Sequence, residues 1–197
     1  MIRVIGAVPC EGTLLERDPW IPLKVSWLPA IHRRPLYLRI SGYNGGEIEC
    51  KVDPTSGLLM QVILLLLPTS ITNTSRLCMI SAEDDVLAPL FDSSMWKDMT
   101  NGLSENAAAG SIEKLNATIR LENASNGMRI SINDSDPVSF VRAGNAEIGY
   151  TADGQLSSLT AIFDAETPLS ASAAEQDAVA EVSAEMWERP RSLCGAA

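Results

Sequence analysis

The sequence predicts an α+β chain that is mainly antiparallel β-sheet, with a duplicated three-strand meander and one or two short helices. Three observations carry this: an alternating pattern that recurs near residues 50 and 150, a third alternating pair around Asn123–Gly127, and helix-like spacing at 81–99 and 171–188. The first copy of the repeat runs Leu38-Arg39-Ile40-Ser41, a glycine-rich turn, Glu47 to Asp53, a turn through Gly57, then Leu59-Met60-Gln61-Val62. The second runs Phe140-Val141-Arg142-Ala143, a turn through Gly144-Asn145, Glu147 to Asp153, Gly154, then Leu156-Ser157-Ser158-Leu159. Apolar residues two apart between Gly and Asn turns mark strands with one buried face.

Taken in order, residues 2 to 8 read as a first strand. Pro19, Pro22, Pro29 and Pro35 then exclude a helix interior or central strands, so the stretch reads as extended wrapping, with Lys24 to Leu28 as an edge strand. Leu36 to Tyr43, Glu47 to Asp53 and Leu58 to Leu67 form the first meander. Its last member is the most apolar run of the chain and reads as a central strand buried on both faces. Ser81 followed by Glu83-Asp84-Asp85 resembles a helix start, a Ser cap with acids in the first turn. Val86, Leu87, Leu90, Phe91 and Trp96 would form that helix's apolar face, shortened or broken by Pro89. Residues 101–113 read as a linker between an N-terminal sheet half, 1–100, and a C-terminal half, 114–197, unless the two form one continuous domain. Ala117 to Glu122 and Met128 to Asn133 form a hairpin, the second meander follows, and Ala171 to Glu188 suggests a helix with a thin apolar stripe.

The chain has 197 residues, 46% hydrophobic and 20% charged, which are proportions of a folded globular protein. Its formal net charge is −10 and its pI near 4.5. From Ala143 to Glu188 there are nine acids and no Lys or Arg. Such a field repels nucleic acid and anionic membrane and steers a cationic partner. Cys10, Cys50, Cys78 and Cys194 are widely spaced without a CxxC pair, so they read as reduced thiols in a cytoplasmic setting, with Cys50 buried in its strand. The run from Gly57 to Leu67 has eleven residues, against roughly twenty for a membrane-spanning helix. The apolar N-terminus ends too soon, at Pro9, to read as a secretory signal.

Chemistry-bearing motifs are sparse. His32 is the single histidine, so neither a histidine-rich zinc site nor a local nucleophile-histidine signature is evident. Asp134 and Asp136 resemble a fragment of a calcium loop but read better as a turn before Pro137. The N-x-S/T triplets at Asn73, Asn116, Asn123 and Asn133 have no secretory context, and no Walker or G-x-G-x-x-G loop occurs. The expectation is therefore no catalytic residue, no metal and no cofactor. Of Trp20, Trp27, Trp96 and Trp187, at least two are expected in the core and the others are candidates for recognition.

The stretches EIECKVDPTSGLLMQVILLLLP and AEIGYTADGQLSSLTAIFD resemble strand pairs of small bacterial immunity proteins, the antidotes encoded beside contact-dependent or secreted toxins. The resemblance covers about forty residues and carries no specific binding residue. It implies a non-enzymatic protein that blocks the active site of a cognate toxin, such as a basic nuclease-like domain. The acids Glu83, Asp84, Asp85 and Asp92, with Trp96, are the expected contact surface, and the acids after Asp164 come second. Two other readings stay open: a structural or assembly module that self-associates through sheet edges, and a hydrolase with scattered acids.

Overall fold

The computed structural model describes residues 2–29, 34–81, 86–96 and 112–163. They form fourteen strands: β1 Val4–Pro9, β2 Gly12–Glu16, β3 Leu23–Leu28, β4 Leu36–Gly42, β5 Gly45–Val52, β6 Leu59–Pro68, β7 Ile71–Asn73, β8 Leu87–Phe91, β9 Ile112–Ala117, β10 Ile119–Ala124, β11 Gly127–Ile132, β12 Ser139–Ala143, β13 Ala146–Tyr150 and β14 Leu156–Ile162. One sheet has the order β2-β3-β6-β5-β4-β9, a second β12-β13-β14-β11-β10-β7, and β1 pairs with β8 in a third.

The structure corrects the α+β assignment. Among the described residues the fold is nearly all β, and the only helical feature is one 3-10 turn at Ser93–Trp96. Of the apolar residues assigned to a helix at 81–99, Leu87, Leu90 and Phe91 lie in strand β8, in which Pro89 faces Ala7 of β1, while Val86 precedes it and Trp96 ends the 3-10 turn. Leu87, Leu90 and Phe91 suit an extended chain as well as a helix, because a five-residue apolar run has no decisive period. The expected helix at 171–188 lies outside the described residues, as do residues 101–111 of the expected linker. Its last two residues, Ile112 and Glu113, open β9. Lys24 to Leu28, read as an edge, lies inside the first sheet, because β2 flanks it on one side and β6 on the other.

Both meanders are present, as β4-β5-β6 and β12-β13-β14. The duplication extends further than the sequence pattern. In each half a hairpin precedes the meander, and the meander's last strand returns to pair with the hairpin's second strand. The orders β2-β3-β6-β5-β4 and β10-β11-β14-β13-β12 are the same topology, antiparallel throughout. The halves also exchange strands: β9 lies parallel to β4 at one edge of the first sheet, and β7 parallel to β10 at one edge of the second.

β1 and β8 each precede one of these five-strand units and meet at Val4↔Phe91. The Val4 N–H donates to the carbonyl of Gly154, in the β13–β14 turn, at 2.7 Å, and the Phe91 N–H donates to that of Gly57, in the β5–β6 turn, also at 2.7 Å. Both glycines take a left-handed conformation, with φ of +77° at Gly57 and +82° at Gly154. A Cβ on Gly57 would stand 2.4 Å from the Phe91 carbonyl oxygen. The two halves are thus related by an approximate internal twofold that passes between Val4 and Phe91.

The inner faces of both large sheets feed one core. Leu38, Ile48, Leu64, Ile119, Ile130, Ile148 and Leu159 are all within it. Trp27 and Trp96 are buried there, as expected of two tryptophans, and the Trp96 indole N–H donates to the Tyr37 carbonyl at 3.1 Å. Cys50 is fully buried, and burial together with the Glu49 carboxylate pushes its thiol up to about 12. The described residues contain no helix long and apolar enough to cross a membrane.

Two measurements check this packing. Gly57→Ala should cost about 2–4 kcal/mol in urea unfolding, from left-handed strain plus collision with Phe91. Gly6→Ala, whose Cβ would find only the Leu90 side chain at 3.8 Å, should change stability by less than about 0.5 kcal/mol. In the native protein at pH 8 iodoacetamide should modify exposed Cys78 and leave Cys50 intact, because the thiolate is the reactive form.

Candidate functional site

Of the residues expected to contact a partner, the structure brings few together. Trp96 is only 1% exposed, so its ring belongs to the core and not to a surface. Asp92 is half-buried at the end of β8, where its Oδ1 accepts the Ser94 N–H at 2.9 Å and caps the 3-10 turn. Glu83, Asp84 and Asp85 lie outside the described residues. Their two flanks, however, are described and firmly held.

The upstream flank lies on the outer face of the second sheet. Asn126 grips both polar groups of Leu77, accepting from its N–H at 2.9 Å and donating to its carbonyl at 2.8 Å. Arg129 Nη2 donates to the Cys78 carbonyl at 2.8 Å, while its Nε donates to Thr160. Glu147 then takes two consecutive backbone donors: the Ile80 N–H at 3.1 Å on one oxygen and the Ser81 N–H at 2.6 Å on the other. Downstream, the Val86 carbonyl accepts the Cys10 N–H at 2.9 Å and β8 begins at Leu87.

Glu147 is the residue that sequence reasoning missed. It is 1% exposed and sits on β13 between Ala146 and Ile148, which point into the core. Alternation puts Glu147 on the opposite face with Thr160 and Arg129, and the 77–81 segment seals that face from water. A carboxylate so deep needs partners, and the two amide donors supply them. The available signal was an acid at the strand position of Ala-Glu-Ile-Gly-Tyr, whose neighbours are otherwise uncharged.

Exposed apolar residues border the acidic stretch on both sides: Ile80 is 51% exposed and Val86 41%. Elsewhere, Trp20 is 88% exposed in the β2–β3 loop, where Asp18 Oδ1 accepts the N–H groups of Trp20 and Ile21, both at 2.7 Å. The loop is therefore locally braced while the indole stands in solvent. A hollow of about 110 Å³ lies between Ile40, Leu115, Ala117, Ile132 and Leu156. It is well below the roughly 300 Å³ at which small-molecule sites begin. Among the described residues no three His, Cys, Asp or Glu side chains gather as metal ligands.

Charge is partitioned along the chain. The described residues hold thirteen acids and eleven bases, a formal −2, and the remaining residues hold twelve acids and four bases, a formal −8. The β framework is nearly neutral, and the acidity resides in 82–85, 97–111 and the stretch after Phe163. No protein-family model and no curated protein sequence matches the chain.

Removing the Glu147 carboxylate tests whether it holds the upstream flank. Glu147→Ala should cost about 2–3 kcal/mol by leaving two amides unpaired, and should speed proteolysis between Arg76 and Val86. Glu147→Gln keeps one acceptor oxygen and should lose less.

Proposed function

We propose that the chain is a non-enzymatic binding protein of the immunity type, which neutralises a cognate bacterial toxin by covering its active site. The contact surface is centred on Glu83, Asp84 and Asp85 with Ile80 and Val86 beside them. One observation carries this reading: a short acidic stretch is held at both ends by the β framework and bordered by exposed apolar side chains.

That combination suits a protein partner with a basic patch. Acids steer the encounter and select the sign of the partner's surface, while apolar side chains beside them lose water on contact. Fixing both flanks lowers the conformational entropy that binding must remove. Trp96 has no part in this surface, and its place as an aromatic contact is taken by no residue of the same stretch. The acids beyond Asp164 add long-range attraction.

The test is association with the product of the adjacent gene, measured against ionic strength. Binding should weaken as salt rises, and the triple reversal Glu83→Lys, Asp84→Lys, Asp85→Lys should slow association at least about tenfold. Affinity indifferent to both salt and charge reversal would remove the electrostatic basis of the reading.

A further inference from the structure

The internal twofold aligns the outer faces of the two large sheets residue by residue. Across the strands of the second unit, Glu122 on β10 pairs with Arg129 on β11, Arg129 with Thr160 on β14, Thr160 with Glu147 on β13, and Glu147 with Arg142 on β12. The first unit repeats the row as Glu16 on β2, Lys24 on β3, Ile63 on β6, Glu49 on β5 and Arg39 on β4. Acid, base, neutral residue, acid and base thus recur in order at equivalent positions. Lys24, Glu49 and Arg39 each lie between two core residues, so alternation turns all three outward.

In the second sheet this row holds an extended backbone. Residues 78–81 run along it, crosswise to the strands. Arg129 donates to the Cys78 carbonyl, Glu147 accepts the Ile80 and Ser81 N–H groups, and Arg142 Nη1 donates to the Ser81 carbonyl at 3.5 Å. Every one of these bonds goes to main chain, so the row engages a polypeptide's backbone and not its side chains. The first row has the same internal pairs: Lys24 Nζ meets Glu16 at 2.7 Å, as Arg129 meets Glu122, and Arg39 Nε meets Glu49 at 3.2 Å. Among the described residues the Glu49 carboxylate has no other hydrogen-bond partner, and Lys24 keeps two of its three donors. The Arg39 and Lys24 side chains are 39% and 26% exposed, so both reach solvent.

We infer that the outer face of the first sheet is a docking site for an extended segment of a partner protein. The segment lies along Lys24, Ile63, Glu49 and Arg39 as residues 78–81 lie along Arg129, Thr160, Glu147 and Arg142. Two consecutive N–H groups of that segment bind Glu49, and the carbonyls to either side bind Lys24 and Arg39. Two bases and two acids leave the row neutral, which suits the dipoles of a backbone better than a charged patch. Ile63 in place of Thr160 gives the middle of the row an apolar floor, so the partner residue that crosses it is apolar. The inference does not rest on the toxin-binding reading, whose contact surface is the acidic stretch.

The probe is a fluorescein-labelled peptide of residues 75–82 carrying Cys78→Ser, titrated with the full-length protein and followed by anisotropy. The second row already holds this sequence, tethered in the same chain, so the free peptide reports on the first. Saturable binding is expected, weakened at least about tenfold by Glu49→Gln and equally by N-methylation of the peptide's Ile80 and Ser81 amides. The N-methylated peptide leaves the protein untouched, so a folding defect does not imitate its effect. Absence of binding tighter than about 1 mM, or affinity indifferent to either change, would overturn the assignment. Neither result would alter the salt-dependent association expected of Glu83, Asp84 and Asp85.

Discussion

The pairing of β1 with β8 is the constraint on which the two large sheets depend. Where Val4 meets Phe91, each residue's N–H turns to the carbonyl of a glycine in the other unit's meander. The strand that precedes one five-strand unit is thereby completed by a turn of the other. This arrangement requires glycine twice, at Gly57 and Gly154, since the turn must be left-handed and must admit a backbone oxygen where a Cβ would stand. Backbone hydrogen bonds at buried sites are costly to leave unmade, so the central pair fixes the relative position of the two sheets. β7 and β9 add two further links between the halves: β7 follows β6 and pairs with β10, and β9 precedes β10 and pairs with β4.

A second constraint shapes the outer face of the second sheet. There the strand residues that alternate away from the core are polar: Glu147, Ser158 and Thr160, all nearly inaccessible, with Arg129 beside them. The backbone of 77–81 meets this layer through Glu147, which accepts the Ile80 and Ser81 N–H groups, and through Arg129, which donates to the Cys78 carbonyl. Thr160 in turn accepts from the Arg129 Nε, so Glu147, Arg129 and Thr160 are each held by directed hydrogen bonds. Its consequence for function is positional. It delivers the chain to Ser81, one residue from the acidic stretch, on a fixed path, while Cys10 holds Val86 on the far side.

The charge distribution alters the picture that total composition suggests. A net charge of −10 reads as a uniformly acidic body, yet the described framework carries only −2. Cross-strand pairs such as Arg39 with Glu49, at 3.2 Å, balance charge within the sheets. The other −8 belongs to residues outside the described ones, so it is not the described sheets that carry the acidity of the chain.

By itself the sequence determined both meanders, the central β10–β11 hairpin, the buried Cys50 and the burial of two tryptophans. These are consequences of local period and turn chemistry, which act over a few residues and leave a visible pattern. It did not determine that Leu87 to Phe91 would be extended, that β3 would be interior, or that Glu147 would be buried, because each depends on what packs alongside. Pro89 tolerates a strand only because β1 offers the right edge, and Glu147 tolerates burial only because two amides from residues far off in the chain arrive to meet it. The duplication of the whole hairpin-and-meander unit was likewise hidden, since strand order is set by pairing between distant segments and topology leaves no trace in spacing. Tertiary structure decided these points for one reason: a backbone or carboxylate hydrogen bond is satisfied by geometry, whichever part of the sequence supplies its partner.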